Sequence, residues 1–157
     1  MTNDISPTPG QASKLSAQVY ALVSACPVGR VTTYGALAKA VGYPRGARMV
    51  GWIMNESPHG VPAQRVINSK GELSGSWAFG SPDLMRQLLE NEGIIFSEDG
   101  RVDLKRYGWE PLRDLSKEEL QDILDHAYDM QYEVSERLLG LMRTDPASPL
   151  RDTEASK

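Results

Sequence analysis

Residues 32–55 are TTYGALAKAVGYPRGARMVGWIMN, and this stretch carries the main architectural signal of the chain. A hydroxyl of Thr32-Thr33 caps a short helix over residues 34–41, and Gly42 ends it as a C-cap would. Tyr43-Pro44-Arg45-Gly46 is the next punctuation, and a second helix follows over about residues 47–55. Two short helices joined by a tight Gly/Pro turn form the pattern of a helix-turn-helix, although any compact helical pair produces it too.

On the N-terminal side, Leu15, Val19, Leu22, Val23 and Cys26 fall at helical spacing, Pro27 closes that helix and Gly29 turns the chain. Residues 1–13 read as a loose, disordered tail. On the C-terminal side the texture changes at Ser57. Pro58, Gly60 and Pro62 lead to the β-rich Arg65-Val66-Ile67 and to a turn at residues 68–71. A small-residue loop over 74–80 carries Trp77 and Phe79. Ser81-Pro82-Asp83 then opens a helix with the buried stripe Leu84, Met85, Leu88 and Leu89, which Gly93 stops. Residues 94–96 and 102–104 read as a two-stranded wing. Ser116-Lys117-Glu118-Glu119 has capping-box spacing and opens a helix to about residue 141, with the stripe Leu120, Ile123/Leu124, Ala127, Val134, Leu138 and Leu141. That stripe must cover the back of its own domain or a partner. Residues 144–157 read as a second disordered tail.

The chain has 157 residues, 24% charged and 40% hydrophobic, enough for one domain with an appendage. It has no apolar run of membrane-spanning length and no signal-peptide block near its start. Its single cysteine rules out a disulfide framework and fits a cytoplasmic protein. Two histidines and one cysteine build no zinc site unaided. Asp122 and His126 lie one helical turn apart, but no third neutral ligand is evident and an acidic solvated face is the plainer reading. No cofactor is expected. The net charge of -4 is unevenly spread: residues 11–110 carry 11 Lys/Arg against 9 Asp/Glu, and residues 111–157 carry 6 against 11. The acidic total therefore does not exclude DNA binding by the first hundred residues, whereas DNA would repel the acidic helix.

The stretch Val61-Pro62-Ala63-Gln64-Arg65-Val66-Ile67-Asn68-Ser69, with Tyr34, Ala47-Arg48-Met49-Val50-Gly51 and Glu92-Gly93, resembles the DNA-binding domain of the O6-alkylguanine-DNA alkyltransferases. Their active site reads Pro-Cys-His-Arg-Val. Ala63 stands where the reactive cysteine belongs and Gln64 where the activating histidine belongs. The chain is thus similar to the non-catalytic, alkyltransferase-like branch, whose C-terminal pattern is matched by Tyr107, Trp109 and Pro111. The resemblance covers about residues 15–111. It implies a mainly α fold with small β elements, a winged helix-turn-helix at residues 14–111; the acidic helical appendage at 112–143 lies outside the resemblance.

The chemistry of the residues points the same way. Alkyl transfer needs a thiolate and a base to form it; an alanine methyl cannot attack and a glutamine amide cannot take the proton. Cys26, at a helix end with no histidine nearby, reads as a small buried hydrophobe. A binding site remains. The resemblance implies that the second helix of the motif enters the minor groove, with Ala47 and Gly51 permitting close approach. Arg48 would fill the gap left by a flipped base, and Tyr34 would press the phosphate of that nucleotide. The lesion pocket would be walled by Val61, Pro62, Ala63, Gln64, Arg65, Trp77 and Phe79, enlarged by the loss of the thiol. Glu92 would survive as a structural acceptor, and Arg65 would tie its strand to the Asn68 turn. Ser57 departs from the asparagine usual in catalytic relatives. Trp77 and Phe79 could stack on the base or pack as core, Trp109 could form the pocket lip or anchor the wing, and Trp52 reads as core and His59 as solvated.

The expected function is a non-enzymatic sensor that binds O6-alkylguanine in duplex DNA, flips it and signals nucleotide excision repair. It would be a monomer, associated with the nucleoid in a bacterium. The alternative is a helix-turn-helix regulator with a vestigial base pocket. Which alkyl groups fit, the downstream protein and the purpose of the acidic helix are not legible.

Overall fold

The computed structural model describes residues 9–81 and 83–127. Residues 1–125 form one compact unit; the remainder forms a second, of which only residues 126 and 127 are described. Nothing in residues 144–157, or in the acidic helix beyond residue 127, lies within the described part.

Element order follows from local chemistry. Helix α1 spans Pro9–Ala25, so it begins inside the stretch read as a tail, and Pro27 follows its end. Strand β1 is the two residues Thr32–Thr33. The hydroxyl of Thr33 accepts the backbone N–H of Ala36 at 3.0 Å and caps α2, Tyr34–Ala40. The exit from α2 is a Schellman turn. Tyr43 N–H donates to Ala38 O at 2.9 Å, Gly42 N–H donates to Lys39 O at 3.1 Å, and Gly42 takes φ +92°. Helix α3, Ala47–Asn55, follows at once, as the helix-turn-helix reading requires. A one-turn 3-10 helix, Ala63–Arg65, runs straight into β2, Val66–Ile67, which pairs in parallel with β1 (Thr32 opposite Val66, Thr33 opposite Ile67). This two-residue ladder positions the site: β1 leads directly into Tyr34, and β2 follows directly from the 3-10 turn that begins at Ala63.

Two clusters make the core. Val19, Leu22 and Val23 of α1 meet Leu37, Ala38, Val50, Met54 and Val66 in the first. Val31, Ile67, Met85, Leu89, Ile94, Val102 and Tyr107 form the second. The Tyr20 hydroxyl adds a 2.7 Å bond to Ile53 O, fastening α1 to the end of α3. Leu115, Leu120, Ile123 and Leu124 pack on the first cluster, so the described part of the acidic helix, within residues 117–127, covers its own domain. Both arms of its capping box form: Glu119 N–H donates to the Ser116 hydroxyl at 3.0 Å, and Ser116 N–H to the Glu119 carboxylate at 2.8 Å.

The fold is mainly helical with a small sheet around a helix-turn-helix, as expected, but several details differ. The segments 94–96 and 102–104 form no ladder. Ser97 N–H donates to Arg101 O at 2.9 Å, while Val102 N–H turns away to Gly71 O at 2.9 Å. The Asp103 side chain then caps Lys105 N–H and opens helix α5, Leu104–Tyr107, which ends the extended run. Helix α4 spans Leu84–Asn91 and begins after Asp83 instead of at Ser81, with Met85 and Leu89 buried and Leu84 exposed. Helix α6, Pro111–Asp114, completes the set. Trp109 is buried beside the Val31–Gly108 bridge, and its N–H donates to Val31 O at 2.7 Å, so it anchors the chain after α5. Among the described residues no helix is long and apolar enough to cross a membrane.

Gly71 is the least replaceable glycine. Its φ is +81°, and an added Cβ would collide with the carbonyl oxygen of Val102. Gly71→Ala should lower stability by about 3 kcal/mol, read as a fall in Tm of about 10 °C by calorimetry or circular dichroism.

Candidate nucleic-acid interface

Helix α3 sorts its residues by face. Val50 and Met54 are buried and Ile53 packs on the first core cluster. Ala47, Arg48, Gly51, Trp52 and Asn55 form one wall of a cleft of about 810 Å3, which the buried Met54 also reaches. The spacing 47, 51, 55 and 48, 52 is a helical stripe and was visible in the sequence. Arg48 is exposed and makes no ion pair with any described residue.

The opposite walls are Tyr34, the Ser57–Val61 loop, Ala63, Val66, Ser74-Gly75, Phe79 and Met85. Burial pushes the Tyr34 phenol above its ordinary value despite a hydrogen bond with Ser74, so it remains a neutral hydroxyl at neutral pH. Gly75 sits close beneath it, since an added Cβ would stand 2.9 Å from the Tyr34 hydroxyl oxygen. Phe79 packs against the second core cluster and also lines the cleft. The side chain of Trp77 lies outside the described residues.

The structure brings Tyr34, Ala47, Arg48, Gly51, Val61, Ala63 and Phe79 to one cleft. Pro62, Gln64 and Arg65, also expected in the pocket wall, do not line it. Pro62 precedes the 3-10 turn. Gln64 and Arg65 instead face backwards, where both reach the carboxylate of Glu92. Gln64 Nε2 donates to Glu92 Oε2 at 2.8 Å, and Arg65 Nε to Glu92 Oε1 at 3.0 Å. Gly29 N–H donates to the same carboxylate at 3.0 Å, and Arg65 NH1 reaches the Cys26 carbonyl at 2.8 Å. Arg65 is thus structural, as read, but tied to Glu92 and Cys26. The Asn68 turn is closed by its own side chain, whose oxygen accepts from Lys70 and Glu72 N–H at 3.0 and 2.8 Å. Partial burial opposes ionisation of Glu92, yet the bonds from Gly29, Arg65 and Gln64 prevail and hold its carboxyl below the ordinary value.

Trp52, read as core, is 75% exposed, and His59, read as solvated, is exposed on the cleft wall. Asn55, Ser57, Ser74, Gly75 and Met85 join the cleft without having been singled out for it. Ser74 and Met85 come from distant segments and left no local signal. Cys26 is buried away from the cleft, and burial raises its thiol to about 12, which keeps it protonated. Among the described residues no three His, Cys, Asp or Glu side chains gather as a metal site.

Residues 14–94 match the family described as the DNA-binding domain of 6-O-methylguanine DNA methyltransferase. A DNA base-flipping protein of Vibrio parahaemolyticus is 43% identical over 96 residues, covering 60% of this chain and 94% of that one. Alkyltransferase-like protein 1 of Schizosaccharomyces pombe is 36% identical over 101 residues, 60% of this chain and 93% of its own. The crystal structure of S. pombe Atl1 in complex with damaged DNA containing O6-carboxymethylguanine superposes with a TM-score of 0.55 at 35% identity, over 62% of this chain and 96% of that one.

Glu92 provides a pH-dependent test. Its folded pKa lies below the ordinary 4.5, so its contribution to stability is present above that value and is lost as pH falls through the folded pKa. Glu92→Ala should cost about 3 kcal/mol at pH 7. Urea unfolding should show the gap between variant and wild type narrowing only below pH 4.5.

Proposed function

The chain belongs to the alkyltransferase-like proteins, relatives of the O6-alkylguanine-DNA alkyltransferases, and on that premise we propose that it is a non-enzymatic sensor of O6-alkylguanine in duplex DNA. The carrying observation is one cleft that combines Tyr34 and Arg48 with a methyl group, Ala63, where the transferases hold their thiol. The names of its relatives, a base-flipping protein and one crystallised with damaged DNA, support the same reading.

In this proposal α3 enters the minor groove. Arg48, with no ion pair to hold it back, swings into the base stack as the alkylated guanine leaves. Its planar cation can stack there and hydrogen-bond to the orphaned cytosine, offsetting part of the few kcal/mol that unstacking costs. The neutral Tyr34 hydroxyl donates to the phosphate of the flipped nucleotide, and the base sits over Ala63. No bond to the alkyl group follows, because neither Ala63 nor Gln64 supplies a nucleophile or base. The opened complex itself is the signal, and nucleotide excision repair is the process that receives it.

Gly51 supports the close approach. An added Cβ would meet nothing within 4 Å inside the protein, so internal packing does not require glycine there, although glycine costs a helix up to about 1 kcal/mol. Gly51→Ala should therefore raise stability by about 0.5–1 kcal/mol and weaken DNA binding severalfold, which thermal melts and binding titrations together would reveal.

The deciding measurement is competitive fluorescence anisotropy at fixed salt, with a short duplex carrying one O6-methylguanine against its unmodified twin. A preference of tenfold or more, about 1.4 kcal/mol, is expected. Arg48→Ala should lose most of it, and the protein's mass should be unchanged after incubation with the alkylated duplex. Equal affinity for the two duplexes would leave only generic phosphate contacts and bring forward the regulator reading.

A further inference from the structure

An indole that is 75% exposed on a nine-residue helix needs an explanation. The inward side of α3 is complete without Trp52, because Val50 and Met54 are buried there and Ile53 packs beside them. Trp52 stands one helical turn beyond Arg48 on the outward side, with Gly51 and Asn55 as its cleft-wall neighbours. That stretch, Ala47–Asn55, contains no carboxylate. Its one charge, Arg48, is not neutralised by any described acid. An unscreened guanidinium beside a solvated aromatic, flanked by a glycine with open space above it, is a surface matched to a polyanion with stackable faces. A protein partner anchored on an exposed tryptophan would not need the bare backbone at Gly51.

We propose that Trp52 is a second stacking element for duplex DNA, acting beside Arg48. The inference rests on the function proposed above, in which α3 lies in the minor groove. The arginine then fills the step vacated by the flipped base. The indole, one turn along the same face, wedges against the neighbouring base pair and holds the step open. Apolar side chains act as such wedges from the minor groove, and base–aromatic stacking tolerates any sequence because every base has a π-face. Trp52 is accordingly a positioning residue for the opened duplex and makes no contact with the alkyl group, so its contribution is independent of which adduct is present.

The test uses the full chain with the O6-methylguanine duplex, its unmodified twin, and a version with 2-aminopurine beside the lesion. Trp52→Ala is expected to weaken binding of the alkylated duplex about tenfold and to reduce the 2-aminopurine signal. Trp52→Phe should recover most of both and Trp52→Leu should not, with Tm unchanged throughout because the side chain is solvated. DNA-induced quenching of tryptophan fluorescence should fall in Trp52→Phe. If wild type prefers the alkylated duplex and Trp52→Ala binds it equally well, this inference is overturned, the sensor reading stands, and the indole is left to a protein partner. A loss that Trp52→Phe does not recover also overturns it. Equal affinity of wild type for both duplexes would overturn the sensor reading and this inference with it.

Discussion

Donors from two separate parts of the chain converge on one carboxylate at the C-terminal end of α4. Gly29 N–H comes from the loop after α1, and Gln64 and Arg65 come from the 3-10 turn that precedes β2. Glu92 is the C-cap residue of α4, where the helix dipole disfavours a negative charge, and those donors offset that cost. Arg65 then carries the link onward to the carbonyl of Cys26 at the end of α1. One acid thereby fixes the exit of α1, the 3-10 turn and the end of α4 relative to each other. The placement of Ala63 at the cleft follows, since Gln64 and Arg65 are held backwards and leave their neighbour facing forwards.

The same arrangement holds Ala63 and Gln64 in place, although neither side chain supplies a nucleophile or a base. Glutamine at position 64 keeps the hydrogen bond to Glu92, so the scaffold survives while the proton acceptor is lost. Alanine at position 63 keeps the turn and opens space. The one thiol in the chain is buried at Cys26, with burial raising its pKa to about 12 and its carbonyl serving Arg65. Nothing in this geometry directs it to the cleft. The cleft combines a neutral phenol, Tyr34, with a guanidinium, Arg48, that no described acid pairs, on a helix, Ala47–Asn55, without carboxylates.

Local signals were legible wherever a residue's role is set by its immediate neighbours. The Thr33 cap, the Gly42 Schellman turn, the capping box at Ser116 and Glu119 and the stop at Gly93 all form as read, because each is closed within a few residues of backbone. The expected wing was misread for the converse reason. Residues 94–96 and 102–104 have strand-like composition, but Val102 finds its backbone partner at Gly71, about thirty residues away in the chain, and no periodicity encodes that choice. Trp52 failed similarly. Size and hydrophobicity favour burial on average, yet helical phase put it on the face opposite Val50 and Met54, and phase outranks composition.

Residue identity at fixed spacing sufficed for the helix-turn-helix and the family, and it puts alanine at position 63 and glutamine at position 64. Only the tertiary structure decided which side of each motif faces the cleft. Gln64 and Arg65 belong to the scaffold, Trp52 to the surface, and Ser74, Gly75 and Met85 to the site. A two-residue parallel ladder, β1 with β2, and a single partly buried carboxylate set those orientations by contacts between segments far apart in the chain. Spacing along a chain specifies neighbours within an element, whereas a cleft is made by the faces that several elements turn toward one another.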